Sequence, residues 1–354
     1  MTNHITVNAS KTYTVSVERG ILARAGERIA AILPPPRRLL LVSDDTVDSL
    51  WGNTLLLSLE SVGFTVCRFT FLHGESSKNT DTLCRLWNAA AQAGLSRSDA
   101  IVALGGGVTG DLAGFAAATY LRGIACVQIP TTLLAMVDSS VGGKTAVDLP
   151  SGKNLCGAFF QPSLVLCDTE VLHTLPAEYF TDGCAEVIKY GYIGDPLLLD
   201  LLKKPFADSP EQIIARCVAQ KRDLVEADEQ DTGVRQLLNL GHTGGHAVER
   251  LSDFSVSHGR AVAIGMLLAA RAATARGICT PDVAPHMQDM LMRYGLPTDC
   301  LFSATELAEA ALADKKRRGD EITLALPTSL GKSELVKLPT DGLADFFAAG
   351  GARR

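Results

Sequence analysis

No stretch of the chain is apolar for long enough to cross a bilayer. The nearest, GMLLAARAATARG, is broken by Arg271 and Arg276, whereas a spanning helix needs about 20 mostly apolar residues, so no membrane association is expected. The opening MTNHITVNASKTYTV lacks a basic region followed by an apolar one; no secretory signal is expected, and the expected location is cytoplasmic. None of the nine cysteines stands in a CxxC pair, which argues against a disulfide framework or cysteine-bound zinc and fits reduced thiols in apolar cores. Basic excess is also missing: 33 Lys and Arg against 39 Asp and Glu leave a net charge of -6, which argues against nucleic acid as a partner. An anionic ligand would therefore need basic residues that converge locally. Internal repeats, low-complexity tracts and an obvious flexible linker are absent as well.

What is there suits two cores. A chain of 354 residues, 47% of them hydrophobic, is long for one domain. HITVNASKTYTVSVE, RRLLLVSDDTV, FTVCRFTFL, DAIVALGGG, ACVQIPTT and SLVLCDT read as strands. GILARAGERIAAIL, WGNTLLLSLESVG and KNTDTLCRLWNAAAQAGL read as helices between them. Such alternation predicts a mostly parallel, open twisted sheet. After about Thr169 the texture turns to long Ala/Leu/Glu/Arg-rich stretches. The expected fold is α/β, with a Rossmann-like doubly wound domain over residues 1–172 and a mainly α-helical domain over residues 173–354.

The stretch IVALGGGVTGDLAGF sets Gly105, Gly107 and Gly110 in a GxGxxG turn between a strand and a helix, as dinucleotide binding requires. The acid that ends the next strand in a simple dinucleotide-binding unit is lacking, since ACVQIPTTLL ends in Pro130, Thr131 and Thr132. Open sheets bind ligands beyond the carboxyl ends of their strands, where Asp44, Glu75, Lys78, Gly106, Gly107, Asp111, Thr131 and Thr132 fall. Asp44 is a candidate for ribose hydroxyls. The plain alternatives are a ligand-free tight turn and a helix-capping Asp44.

A second group is NLGHTGGHAVERLSDFSVSHGRAVAIGM, which gathers His242, His246 and His258. Upstream, GCAEVIKYGYIGD sets Glu186 and Lys189 one helical turn apart. Two imidazoles and a carboxylate suit zinc or a related divalent ion, and spacing alone favours His242 with His246, which share a helical face. The alternative is histidines that only pack or cap. A third group is cationic: Arg122, Lys144, Lys153, Lys221 and Lys316, the first three in Gly-containing segments expected to be loops. Taken singly, each also reads as a solvated surface charge.

The motifs GGGVTGDLAGFAAATYLRG, IPTTLLAMVDSSVGGKTAVDLPSGKNLCGAFFQP, GCAEVIKYG and LLNLGHTGGHAVE with HGRAVAIGM together resemble the 3-dehydroquinate synthase family, in order and over nearly the whole chain. The resemblance implies an NAD-binding N-terminal domain, a helical metal-binding C-terminal domain, an active site between them and a homodimer. It implies zinc or cobalt held by Glu186, His242 and His258, with His246 as a polar catalytic partner instead of a ligand. It implies NAD contacts from Asp44, Glu75, Lys78, Gly106, Gly107, Asp111, Thr131, Thr132, Lys144, Lys153 and Thr174. Substrate contacts would come from Asp138, Lys144, Asn154, Lys189, Lys221, Arg235, Asn239, His246 and Lys316, with Arg122 reaching across from the partner subunit.

The implied reaction converts 3-deoxy-D-arabino-heptulosonate 7-phosphate to 3-dehydroquinate and phosphate. It runs through transient oxidation by NAD, phosphate elimination, return of hydride, ring opening and intramolecular aldol closure. A substrate with a carboxylate and a phosphate accounts for local cations in an acidic chain. Arg260, Gly244 and Asp231 depart from the residues usual for the family, and LPAEYFTDG lacks the arginine usual near Glu178. Rival expectations are a sugar-phosphate cyclase of the 2-deoxy-scyllo-inosose or valiolone type, a metal-dependent polyol dehydrogenase that consumes NAD, and a non-catalytic NAD-binding regulator.

Overall fold

The computed structural model describes residues 3–313 and 320–353, so Lys316 lies outside the described residues. In chain order the first part holds β1 (Asn3–Asn8), β2 (Thr12–Val17), α1 (Ala25–Ala30), β3 (Arg38–Asp44), α2 (Asp45–Val47), α3 (Asn53–Ser61) and β4 (Thr65–Phe71). It continues through α4 (Thr80–Gln92), β5 (Ala100–Gly105), α5 (Gly107–Thr119), β6 (Ala125–Pro130), β7 (Lys144–Leu149), β8 (Gly152–Phe159) and β9 (Leu164–Cys167). Then come α6 (Ala177–Ile193), α7 (Pro196–Leu201), α8 (Pro210–Ala227), α9 (His242–Leu251), α10 (His258–Ala275), α11 (Val283–Arg293) and α12 (Ala304–Ala313). The chain closes with β10 (Glu321–Ser329), β11 (Lys332–Pro339) and α13 (Leu343–Ala349).

Seven strands form one sheet in the order β1-β2-β9-β6-β5-β3-β4, parallel throughout except for the antiparallel β1–β2 pair. The first predicted strand is thus a hairpin, because Asn8–Lys11 turns the chain back. β5 is buried along its whole length, as expected of a parallel strand covered on both faces. α4 and α5 cover one face: Leu83 and Leu86 join Leu112, Ala113, Ala116 and Ala117 in a core with Leu40, Val42, Ile101 and Ala103.

Two predicted loops are a hairpin instead. Lys144 opens β7 and Lys153 lies in β8, and the two strands pair antiparallel. Of the glycines that suggested loops, Gly143 has a φ of +73° and lies against Gln161, and Gly152 opens β8 with a φ of +157°. The close approach of the hairpin to α5 is made instead by Gly114, where a Cβ would stand 2.5 Å from Thr145 Cγ2.

The chain forms two compact units, Met1–Pro176 with Pro210–Gln230, and Ala177–Ser209 with Asp231–Arg354. The expected division into residues 1–172 and 173–354 follows chain order, whereas α8 returns to the first unit and packs on β1 and the π-helical turn Ala135–Ser139. Helical texture does not tell which core an apolar face covers.

In the second unit α10 is the central helix, buried on nearly every side and packed by α6, α9, α11 and α13. A helix apolar all round belongs inside. The β10–β11 hairpin is an addition to the mainly helical expectation. No helix among the described residues is long and apolar enough to cross a membrane. α9 and α10 touch backbone to backbone. A Cβ on Gly265 would stand 2.0 Å from the Gly241 carbonyl oxygen and 2.6 Å from the Gly245 nitrogen. Gly265→Ala must push the two helices apart, so its denaturant midpoint is expected to fall by an amount equivalent to about 1–3 kcal/mol; a midpoint equal to that of the unaltered chain would refute this.

Candidate functional site

In the first unit, strand register brings several expected residues to one level. β3 pairs Val42 with Ala103 of β5, which sets Asp44 level with Gly105, and the Ser43 hydroxyl donates to the Leu104 carbonyl at 2.8 Å. The sheet grows from β3 toward β4 and from β5 toward β6. The crevice beyond β3 and β5 is therefore a topological switch point, where open sheets bind ligands.

Gly106 is the N-cap of α5, with no side-chain cap and no acid in the first turn. A Cβ there would stand 3.0 Å from Thr132 Cγ2, and one on Gly107 would stand 3.3 Å from Ser139 Oγ. The Thr131 N–H donates to the Gly105 carbonyl at 2.9 Å, which seats Thr131 and Thr132 beside the turn. Helix N-terminal N–H groups without side-chain caps suit an anion. The cradle fits the pyrophosphate of a dinucleotide. Asp44 caps α2, its Oδ1 accepting from the Val47 N–H at 2.9 Å, while burial raises its carboxyl above the usual range. Glu75 is exposed, and the exposed Thr174 hydroxyl accepts from Trp51 Nε1 at 3.0 Å.

Two expected cations are buried beside expected acids. Lys78 is 4% exposed, and its Nζ donates to Asp111 Oδ2 at 2.5 Å and to Asn154 Oδ1 at 2.5 Å. Burial opposes its charge, but Asp111 and Glu75 outweigh that and raise its pKa. Asn154 has a φ of +57°; its N–H donates to Asp148 Oδ1 at 2.8 Å, and the Asp148 N–H donates to the Lys78 carbonyl at 2.8 Å. Asp148 thus ties Asn154 to Lys78, a role with no separate sequence signal. Lys221 of α8, also buried, donates to both the carboxylate and the carbonyl of Asp138. Lys144 and Lys153 are exposed on the hairpin, and Arg122 is exposed in a tight helical turn after α5.

The second unit holds a carboxylate–imidazole cluster. Glu186 of α6 is fully buried; its Oε1 lies 3.7 Å from His242 Nε2 and 3.6 Å from His258 Nε2. One ligand atom from each of these three residues lies within 4.8 Å of the others. Lys189, one turn along α6 and also buried, pairs with Glu186. The N-terminus of α10, which carries His258, is held by Asp182: its Oδ1 accepts from Ser257 Oγ at 2.6 Å. His246 is exposed, its ring centroid 5.4 Å from that of His242 and 6.0 Å from that of His258. Spacing on one helix therefore does bring His242 and His246 together, but the atoms that surround Glu186 are those of His242 and His258. Arg235 is fully buried in the turn Val234–Asn239, and Asn239 is exposed.

Burial holds His242 well below the usual imidazole range, and the Lys189 ammonium adds to this. Burial would lower His258 too, but the Glu186 and Glu249 carboxylates that face its two ring nitrogens push it up to about 10. Two nitrogens and one carboxylate oxygen, with the carboxylate sealed from solvent, fit a zinc-like divalent ion with open positions. Glu249 also faces this cluster. Sequence reading passed over it, although it closes the motif GHAVE three residues after His246.

Known proteins agree with this chemistry. The model of the 3-dehydroquinate synthase N-terminal domain matches residues 68–182, and that of the C-terminal domain matches residues 183–317. The chain is 43% identical over 343 residues to the 3-dehydroquinate synthase of Streptococcus sanguinis, which covers 95% of this chain and 96% of that one. The chain belongs to the 3-dehydroquinate synthase family. Its activity is that of 3-dehydroquinate synthase, a lyase of the shikimate pathway that acts on a sugar phosphate.

Solved structures repeat the architecture. A 2-deoxy-scyllo-inosose synthase complexed with carbaglucose-6-phosphate, NAD+ and Co2+ has a TM-score of 0.86 at 26% identity, covering 98% of this chain and 99% of that one. The 2-epi-5-epi-valiolone synthase of Streptomyces hygroscopicus with NAD+ and Zn2+ bound has a TM-score of 0.86 at 28% identity, with the same coverage. A probable glycerol dehydrogenase from Sinorhizobium meliloti, at 16% identity and a TM-score of 0.62 over 94% of each chain, shares the fold alone.

The Lys78–Asp111 pair yields a stability test for the 3-dehydroquinate synthase fold. Removing one partner of a buried pair leaves an uncompensated charge and costs about 3–5 kcal/mol, whereas replacing both by apolar residues is often near neutral. Lys78→Met should therefore destabilise strongly, and adding Asp111→Leu should restore much of the loss in denaturant melts. Additive losses in the double variant would show that the two groups do not depend on each other.

Proposed function

We propose that the chain turns over 3-deoxy-D-arabino-heptulosonate 7-phosphate as a cytoplasmic homodimer with NAD and a divalent ion, zinc or cobalt. Glu186, His242 and His258 would hold the ion, and their convergence from three helices is the observation that carries the reading. Asp44, Glu75, Lys78, Gly106, Gly107, Asp111, Thr131, Thr132, Lys144, Lys153 and Thr174 would hold NAD. When bound, the two cofactors supply reversible hydride acceptance and stabilisation of a substrate alkoxide.

The chain's own residues do the rest. The uncapped first turn of α5 receives the pyrophosphate through backbone N–H groups. Lys144, Asn154, Lys189, Lys221, Arg235, Asn239 and Lys316 bind the carboxylate, phosphate and hydroxyls of the substrate. Asp138 holds the Lys221 ammonium in place. His246, with an exposed ring beside the ion ligands, can accept or return a proton at Nε2 as the ring opens and the carbocycle closes. Burial of Glu186 and Lys189 limits water around the ion, so charge stabilisation there is strong.

The test is to supply the sugar phosphate with sub-stoichiometric NAD and Co2+ or Zn2+, and to follow phosphate and dehydroquinate together. Equal amounts of both products, many per NAD, are expected. One NADH per substrate consumed would instead identify a dehydrogenase.

Arg122 is assigned to the neighbouring subunit's site. It is an exposed guanidinium on a backbone with φ of +67°, next to Leu121 at +51°, and strained non-glycine residues of this kind persist where the surroundings hold them for a purpose. Arg122→Ala and Glu186→Ala subunits should each be inactive alone. Mixed, they form dimers with one doubly damaged site and one intact site, so activity should return to roughly half per mixed dimer. Absence of recovery despite proven subunit exchange would refute action across the dimer.

A further inference from the structure

The two nitrogens of His258 face two different carboxylates. Nε2 lies 3.6 Å from Glu186 Oε1, and Nδ1 lies 3.4 Å from Glu249 Oε1. Glu249 sits on α9, its side chain 12% exposed, while the His258 side chain is 35% exposed. His258 is the first residue of α10, after an N-cap, Ser257, that makes no side-chain cap bond, so the backbone alone does not fix the direction of the ring. The two helices pack closely farther along, where Gly241 and Gly245 meet Gly265, and at the start of α10 Asp182 anchors Ser257.

We infer that Glu249 is a positioning residue for the ion: by accepting the Nδ1–H of His258 it fixes the tautomer that leaves the Nε2 lone pair directed at the space beside Glu186. This rests on the reading of Glu186, His242 and His258 as the ligands. An imidazole bound through one nitrogen keeps its proton on the other, and a carboxylate accepting that proton orients the ring and raises its basicity. Glu249 also stands 4.0 Å from His246 Nε2, so the same carboxylate spans the ligand and the proton-handling ring. A direct ligand role for Glu249 is the competing assignment, since His246, Glu249 and His258 also form a group with donor atoms within 4.8 Å of one another. The exposure of His246 and the burial of Glu186 favour the Glu186 side as the ion's place.

The experiment uses the full-length apoprotein and Zn2+ alone, without substrate, with a chromophoric chelator as competitor. Glu249→Ala should weaken Zn2+ binding by roughly 10–100-fold. Glu249→Gln, whose side-chain oxygen still accepts the Nδ1–H, should lose less. Ring 15N shifts of His258 in the Zn2+-loaded protein should report a single Nε2-bound form in the unaltered chain and a mixture of coordinating nitrogens in Glu249→Ala, with circular dichroism confirming that the variant is folded. Unchanged affinity in Glu249→Ala together with an unchanged single His258 form would overturn the inference. So would a loss in Glu249→Gln as large as in Glu249→Ala with the His258 form unchanged, because that marks a ligand. His258→Ala separates the two levels: if it binds Zn2+ normally, the ligand reading fails and the inference with it, whereas if it alone loses Zn2+, only the inference fails.

Discussion

A carboxylate sealed from water needs positive charge or hydrogen-bond donors around it, because an isolated buried ion is too costly to keep. Glu186 is such a group, and the second unit is organised by that requirement. α6 supplies both the acid and Lys189, and α9 and α10 each begin at an imidazole aimed at it. Bringing two helix starts to one carboxylate requires the helices to cross closely, which is why glycines stand at the α9–α10 contact and why Gly259 lies against Asp182, where a Cβ would meet the Asp182 carbonyl oxygen at 2.3 Å. The glycines look like helix breakers in sequence; in space they are the condition for the cluster.

The first unit solves a different problem, that of setting backbone donors and side chains at one level. Parallel register does most of this. Once Val42 pairs with Ala103 and Gly105 with Pro130, Asp44, the glycine turn and the two threonines follow without further choice. The N-terminus of α5 then carries the electrostatics, since a helix start with neither a capping side chain nor an acid in its first turn leaves its dipole to a ligand.

What the sequence made legible, and what it did not, divides along the same line. The strand–turn–helix at Gly105–Gly110 and the alternation of the first half are local patterns, and they hold in the structure. Spacing on one helix named His242 and His246 as partners, and their rings are neighbours. Only tertiary packing decides that His258, on a separate helix, shares Glu186 with His242; the choice of ligands came from family resemblance, not from periodicity. The β7–β8 hairpin was hidden because its glycines and single proline, in VGGKTAVDLPSGKN, are loop punctuation that here serves a turn and a close approach. α8 joins the first unit for a reason equally invisible locally: Ile213, Ile214, Cys217 and Val218 form an apolar face, and periodicity reports a face without its destination. Sequence reading passes over Asp148, Asp182 and Glu249 because each meets another residue of the chain; Asp148 and Glu249 lie inside the quoted motifs, but spacing alone does not show which group they face.

Among the described residues, three of the ammonium groups expected to meet ligands are buried, and each has its counter-charge among residues of the same expected set. Lys78 pairs with Asp111, Lys221 with Asp138, and Lys189 with Glu186. This pairing follows from electrostatics before it follows from catalysis. A lysine withdrawn from water with no partner would surrender its proton; a carboxylate beside it keeps it charged and fixes its direction. An anion that arrived at such a group would meet an ammonium already desolvated and oriented, which would leave less reorganisation for the moment of reaction. The acidic net charge of the chain is compatible with an anionic substrate, because what a ligand meets is set by charges at short range, while distant surface charges are screened within about 8–10 Å at ordinary ionic strength.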